Sequence, residues 1–160
     1  LVSRAHGEGE RGQEKSYLVY ALITALIFSV IVYAVIFFFA GPIADVFNRD
    51  KDELLTELAA EGMRLYFTAI PFVGFNVITC TFFTSSEKPL PAHIVSLLRG
   101  LVVVIPAAFA LSAVWGLTGV WLSYPVTEGI VAAVAAVILY LFLRRAPSGS
   151  VKKHGLHGGA

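Results

Sequence analysis

The sequence predicts an all-α, polytopic membrane helix bundle with four transmembrane helices and one amphipathic connector helix. Two observations support this prediction. The 160 residues are 57% hydrophobic and only 14% charged, whereas soluble domains usually carry roughly a quarter charged residues. Four apolar runs, at about 17–40, 65–85, 92–114 and 119–143, are each long enough for a helix that crosses a bilayer. The lone cysteine, Cys80, excludes an intrachain disulfide framework and a cysteine-based zinc site.

The chain begins with a polar segment, residues 1–16, which we expect to form a cytoplasmic loop. The first span, Tyr17–Ala40, has 24 residues without a charge, which make about 36 Å of helix at about 1.5 Å per residue. Gly41-Pro42 is predicted to end it. Because the chain starts with leucine and shows no cleavable signal peptide, we expect it to be an internal fragment of a longer protein.

The segment between the first two spans, Ile43–Arg64, has the pattern of an amphipathic helix. Asp50 and Glu53 resemble a capping pair at its start. Apolar and acidic side chains then follow on opposite sides: Leu54, Leu55, Leu58 and Ala59 against Asp52, Glu53, Glu57 and Glu61. Because the segment is net acidic, we favour a connector at the membrane surface over a helix that binds anionic lipid.

The second span, Leu65–Ser85, is apolar but carries polar and aromatic side chains on one helical face. The substrate-cavity candidates on that face are Thr68, Phe72, Asn76, Thr79 and Phe83. Two interpretations stay open, because the same groups suit either a cavity for flat apolar cations or hydrogen bonds between membrane helices. Pro71 is predicted to kink this helix.

The third span, Ala92–Val114, carries one charge, Arg99, about 10 Å along the helix axis. Its long stem can reach the headgroups, so a snorkelling arginine is favoured over an ion-pair or gating role. Pro106 predicts a second kink. Trp115–Thr118 then predicts a tight turn with an interfacial tryptophan.

The fourth span, Gly119–Leu143, holds Glu128, the one carboxylate in the four apolar runs, at about 14 Å from the helix start. A carboxylate at that depth must pair, face water or stay protonated. Glu128 is therefore a candidate for ion coupling or for a structural tether, and we favour the tether. Pro125 predicts a third kink. Residues 146–160 lack core-forming side chains and predict a disordered cytoplasmic tail.

The charges predict the sidedness of the four spans. Nine Lys and Arg residues fall on the side that holds both termini, against three on the other: Arg4, Arg11, Lys15, Lys88, Arg99, Arg144, Arg145, Lys152 and Lys153 against Arg49, Lys51 and Arg64. Cytoplasmic loops carry the excess of Lys and Arg. Both termini are therefore predicted to be cytoplasmic.

A series of short motifs resembles the multidrug and toxic compound extrusion (MATE) family from Leu1 to about Arg145. In order they are the Gly-rich stretch His6–Arg11, Ile43–Phe47 followed by Asp50–Leu55, Ser86–Pro91 leading to Ser96–Arg99, Ile105-Pro106, and Trp115–Trp121 leading to Tyr124–Glu128. The last block is the most specific, and the order and spacing of all of them carry the resemblance.

The resemblance implies helices nine to twelve of a twelve-helix transporter in the plasma (inner) membrane. Such proteins export amphipathic organic cations and drugs by alternating access, coupled to inflow of sodium or protons. The implied partners are the lipid bilayer, the missing N-terminal lobe and the exported cations. Beyond the transported ion, no cofactor or metal is implied. Some members carry an acidic cation ligand in the tenth helix, but Leu65–Ser85 has no Asp or Glu, so that site does not carry over.

Two other function classes stay open, and two are excluded. A related lipid-linked oligosaccharide flippase would need a more cationic cavity than Arg99 alone provides. A small four-helix membrane subunit is the other alternative. An enzyme is not expected, because the spans contain no Ser/His, paired-Asp or His/Glu set. Nucleic acid is not expected either, because no basic run outside the tail would follow a phosphate backbone.

Overall fold

The computed structural model describes residues 1–145, which fold into helices with no β-strand among them. The elements are α1 (Val2–Gly7), α2 (Arg11–Phe47), α3 (Glu53–Tyr66), a 3₁₀ turn (Phe67–Ala69), α4 (Ile70–Ser85), α5 (Pro89–Leu97), a π-helical turn (Leu98–Val102) and α6 (Val104–Arg145). Three helical stretches are long and apolar enough to cross a membrane: Gly12–Phe47, Glu53–Ser85 and Pro89–Arg144. The chain is thus an integral membrane protein, and the all-α class is confirmed. The predicted disordered tail, residues 146–160, lies outside the described residues.

The longest of these stretches contains two spans, because the chain reverses at Gly116. The backbone of Gly116 has φ 55° and ψ −128°, a positive φ that favours glycine. A side chain on Gly119 would collide with the carbonyl of Leu111. On a straight helix these two residues would lie about 12 Å apart. The α6 helix is therefore a helical hairpin, with its turn inside the predicted Trp115–Thr118 segment, and residues 1–145 contain four spans.

The N-terminal part is more helical than expected. Residues 1–16 do not form a loop, since α1 and the first turns of α2 lie within them. The predicted end of the first span at Gly41-Pro42 is also wrong, because α2 continues to Phe47. Pro42 removes one backbone donor, but Ala40 and Ala44 on either side of it pack against Ala60 of α3. This close contact between small residues holds the last turns of α2.

The connector helix α3 is capped by Asp52 and not by the predicted Asp50. The Oδ1 atom of Asp52 accepts hydrogen bonds from the backbone N–H groups of Leu54 at 2.9 Å and Leu55 at 3.3 Å. These bonds satisfy donors that a helix start leaves unpaired. The α3 helix then runs through the 3₁₀ turn into α4, so the amphipathic connector and the second span form one interrupted rod.

The three prolines that are predicted to kink the spans lie at different positions within their helices. Pro71 stands in the first turn of α4, directly after the 3₁₀ turn. Pro106 stands in the first turn of α6, four residues after Val102 at the end of the π-helical turn. Pro125 lies inside α6, where Gly116 is the one residue of that helix with non-helical angles.

Apolar packing joins the helices at both ends of the bundle. At one end, residues from α2, α4, α5 and α6 form a core with contributions from α1: Val2, Leu18, Phe82, Phe83, Ala92, Leu139 and Phe142. The start of the chain, the turn between α4 and α5, and the end of α6 therefore lie together. At the opposite end, α2 and α3 meet through their alanines. The polar network described next lies between these two ends.

Candidate functional site

The side chain of Glu128 is the centre of a hydrogen-bonded network that joins three spans. Its Oε1 accepts a bond from Nε of Arg99 at 2.8 Å, and its Oε2 accepts one from Nδ2 of Asn76 at 2.8 Å. The same Nδ2 lies 3.1 Å from the backbone carbonyl of Glu128. The second, third and fourth spans are thus linked through one carboxylate.

Local helix geometry supplies each member of this network. Asn76 lies in the middle of α4, and Glu128 lies one helical turn after Tyr124 on α6. Arg99 lies in the π-helical turn Leu98–Val102, where the backbone N–H of Val103 bonds the carbonyl of Leu98 at 2.9 Å. Such widened turns occur often at functional sites. Pro106 lies four residues after the end of this turn, and because proline has no backbone N–H it cannot donate a hydrogen bond to the Val102 carbonyl.

The network is buried and formally neutral. Glu128 and Asn76 are both 0% exposed, and the side chain of Arg99 is 27% exposed. Removing a carboxylate from water costs several kcal/mol unless a countercharge and hydrogen bonds offset it. Arg99 provides the countercharge, and Asn76 provides the second bond. A buried ion pair of this kind is stable while it is complete and costly when one partner is removed.

Several buried oxygens around the network have no hydrogen-bond partner among the described residues. They are Oδ1 of Asn76 and the hydroxyls of Thr79 and Thr127. Thr79 lies one helical turn after Asn76, on the same face of α4, and Thr127 adjoins Glu128. Buried polar atoms usually find partners in proteins. These three oxygens therefore have unused capacity to accept hydrogen bonds.

The five substrate-cavity candidates differ in their burial, and Thr68 lies in the 3₁₀ turn while the other four lie in α4. Asn76, Thr79 and Phe83 are fully buried inside the bundle, and Phe83 packs against Phe82 and Phe142. A substrate reaches these three only if the helices separate. Thr68 is partly buried and donates to the carbonyl of Leu65 at 2.6 Å. Phe72 is 42% exposed, the largest exposure among the five.

Arg99 is the functional residue whose role the sequence interpretation missed. A snorkelling arginine was favoured, but its guanidinium turns to Glu128 instead. The available signal was that one basic and one acidic residue stood inside the apolar runs, which is typical of paired charges in membranes.

An aromatic pair adjoins the network. Tyr66, at the end of α3, stacks on Tyr124 with ring centroids 4.5 Å apart and planes 9° apart. Among residues 1–145, no group of three or more His, Cys, Asp or Glu side chains comes together as a metal site. Glu128 is thus a single carboxylate whose two oxygens bond Arg99 and Asn76.

Four spans around a buried ion pair define a polytopic membrane protein whose polar groups face inward. Comparison with known families agrees with this class. The chain belongs to the MatE family, whose family model matches residues 1–110. The resemblance described from the motifs is thereby confirmed.

Individual relatives match this chain over part of their length. The FAD transporter of Shewanella oneidensis is 26% identical over 132 residues, which cover 80% of this chain and 28% of that protein. The multidrug export protein MepA of Staphylococcus aureus is 30% identical over 94 residues, which cover 59% of this chain and 21% of that protein. The chain thus spans less than a third of the length of these relatives. No solved structure matches it significantly.

Proposed function

We propose that this chain is the C-terminal part of the second lobe of a multidrug efflux antiporter. The intact protein exports amphipathic organic cations by alternating access, driven by inflow of sodium or protons. Membership of the MatE family and similarity to proteins named for multidrug export support this function. A role in transport, and none in catalysis, also agrees with the names of these relatives.

The single observation that carries the mechanism is the Glu128 network. In the form described here, Arg99 neutralises the carboxylate and links the third and fourth spans. A proton or sodium ion that binds Glu128 competes with Arg99 for the same oxygen. Arg99 is then released, and the contact at the π-helical turn weakens. A ligand shifts a conformational equilibrium only by its difference in affinity for the two states, and this exchange provides that difference.

The substrate contacts we propose lie on the exposed part of the second span. Phe72 presents an aromatic face, and cations bind such faces through cation–π attraction. Thr68, one turn earlier on the same side, adds a hydroxyl. In this arrangement Asn76 acts as a positioning residue for Glu128, and Thr79 and Phe83 serve packing in the closed form. The missing N-terminal lobe provides the opposite wall of the cavity.

The proposed orientation places both termini on the cytoplasmic face of the plasma membrane. The start of the chain, the turn after α4 and the end of α6 lie at one end of the bundle, and basic residues concentrate there, among them Arg4, Lys88 and Arg144. The positive-inside rule supports this orientation.

The test is the Glu128→Gln variant in the intact gene product. Glutamine keeps the size and the bond to Asn76 but cannot bind a proton or sodium as a carboxylate does. We expect export of a fluorescent organic cation from vesicles to lose its dependence on an imposed sodium or proton gradient. Glu87→Gln, at an exposed turn residue, is the control. Full ion-driven export by Glu128→Gln would remove Glu128 from coupling.

A second candidate function is export of a flavin dinucleotide, which the similarity to the FAD transporter favours. Such a substrate is anionic and needs cationic groups in the cavity. In the described spans the charge of Arg99 is already neutralised by Glu128, and this neutralisation favours cationic substrates over FAD. The same neutralisation counts against a lipid-linked oligosaccharide, whose pyrophosphate is also anionic. Parallel vesicle assays with ethidium and with FAD distinguish the two candidates.

A further inference from the structure

The stacked tyrosines stand between the surface of the bundle and the buried network. Tyr66 is 40% exposed, Tyr124 is half-buried, and Glu128 is fully buried. Tyr124 lies four residues before Glu128, which places both side chains on one face of α6, one turn apart. A small solute that approaches Glu128 from the α3 side therefore meets the two rings first.

The fourth span connects the stack to the network, because Tyr124 lies one helical turn before Glu128, whose carboxylate bonds Arg99. The rings are nearly parallel and in contact, and stacking adds about 0.5–1.5 kcal/mol beyond the area buried. A stacking free energy of that size favours the stacked arrangement of the two rings but still allows the rings to separate in a minor population.

The backbone next to Tyr66 departs from a regular α-helix. Tyr66 is the last residue of α3, and the 3₁₀ turn Phe67–Ala69 follows at once. Pro71 then removes a further hydrogen bond from the ladder between α3 and α4. Short 3₁₀ stretches inside long helices often mark hinges. A bend at this turn carries Tyr66 with α3 and leaves Tyr124 on the fourth span, so that the stack opens.

We propose that Tyr66 and Tyr124 form a gate that controls access of water and small cations to Glu128. The stack is closed in the form described here, and bending at the 3₁₀ turn opens it. This inference rests on the proposed exchange of cations at Glu128 and adds the route by which they arrive. The rings act by filling space, so their hydroxyls are not required.

The experiment measures access to Glu128 directly. The intact gene product in vesicles is treated with a water-soluble carbodiimide and glycine ethyl ester, and labelling of the peptide that contains Glu128 is followed by mass spectrometry. Minor states of a two-state protein are populated at roughly 0.1–10%. If the open gate is such a state, Tyr66→Ala and Tyr124→Ala are expected to raise the rate of labelling by about tenfold or more. Labelling of the exposed Glu87 is the internal reference.

Matched variants separate a gate from other roles. Tyr66→Phe keeps the ring and is expected to label at the wild-type rate. Tyr140→Ala removes a tyrosine of the same span that lies about three turns beyond Glu128, and it is also expected to leave the labelling rate unchanged. If Tyr66→Ala does not fold, Tyr66→Leu replaces it, since leucine is apolar but not planar.

Two results would overturn the gate. One is an unchanged rate in the alanine or leucine variants at both positions, and the other is an increase in Tyr66→Phe as large as in Tyr66→Ala. The proposed function fails separately, because its test is ion-driven export by Glu128→Gln. Wild-type ion-driven export by Glu128→Gln would overturn the proposed function, whereas the labelling result on access to Glu128 would still stand.

Discussion

Glu128 and Glu14 are both buried acids with a basic partner, but their partners lie in different parts of the fold. Glu128 is fully buried and bonds side chains from two other spans, Asn76 and Arg99. Glu14 is 6% exposed and bonds Nδ1 of His6 at 2.5 Å, a residue of the short helix α1 only eight positions away. The first acid joins distant parts of the bundle, and the second joins neighbouring turns at one end.

This difference teaches that burial alone does not measure the importance of a charge. Both carboxylates lose water and therefore need a partner. At Glu128 the loss of Arg99 leaves a charge deep between helices, where the bond from Asn76 remains but the countercharge is gone. At Glu14 the bundle end lies near solvent, so water can take the place of His6. Four substitutions, taken from the largest expected effect to the smallest, test this contrast.

The largest effect is expected for Arg99→Leu, which leaves the Glu128 carboxylate without its countercharge. Breaking a buried pair in this way costs about 3–5 kcal/mol. The melting temperature of the intact protein in detergent measures it. The double variant Arg99→Leu with Glu128→Leu is expected to recover most of the loss, since no lone charge remains. A double variant no more stable than the single one would contradict the pairing.

A smaller effect is expected for Asn76→Ala, which removes one hydrogen bond but leaves the ion pair. Hydrogen bonds between membrane helices contribute about 0.6 kcal/mol on average and up to about 1.7 kcal/mol. We therefore expect a melting temperature between those of the wild type and Arg99→Leu. Asn76→Asp is the matched comparison, because it places a second carboxylate beside Glu128 and should destabilise more than alanine. The reverse order would mean that Asn76 does not face Glu128.

A still smaller effect is expected for His6→Ala. It removes the partner of Glu14, but the neighbouring solvent at the bundle end solvates the carboxylate. Partly exposed ion pairs contribute about 0–1 kcal/mol, so thermal stability should fall slightly and ion-driven export should persist. If His6→Ala matched Arg99→Leu in stability or export, the contrast between the two acids would be lost.

The smallest effect is expected for Arg4→Ala. Arg4 pairs with Glu8 on the exposed surface at 2.9 Å, and its side chain is 80% exposed. Surface pairs four residues apart contribute about 0.3–0.5 kcal/mol and are screened by salt. The melting temperature should be unchanged within error at physiological salt. A clear decrease would show that α1 has a larger structural role than its short length indicates.

Much of the fold was predictable because it follows from local sequence. The apolar runs identify the spans, and Gly116 lies in the predicted turn because only glycine adopts its positive φ without strain. The helix ends were less predictable. The α2 helix passes Pro42 because alanines of α2 and α3 pack together there, and sequence rules for proline do not include such a contact.

The candidate site was predictable in its parts and not in its connections. Glu128 and Asn76 were identified because polar groups in apolar runs are conspicuous. Arg99 was assigned to the headgroups because its depth along the helix allows that reach. The π-helical turn that carries it has no recognisable motif, so the sequence did not indicate where the Arg99 side chain would lie. The stack of Tyr66 on Tyr124 joins residues 58 positions apart, and no local pattern indicates it.

The sequence by itself therefore determined the membrane class, the four spans and the presence of one acid and one base within them. These follow from hydropathy and helix length, which depend on neighbouring residues alone. The tertiary structure decided which polar groups meet. Asn76 lies 52 positions from Glu128 and Arg99 lies 29 positions from it, and the packing of three spans brings them to 2.8 Å. In a medium without water each buried charge must find such a partner, and only the folded bundle shows which one it finds.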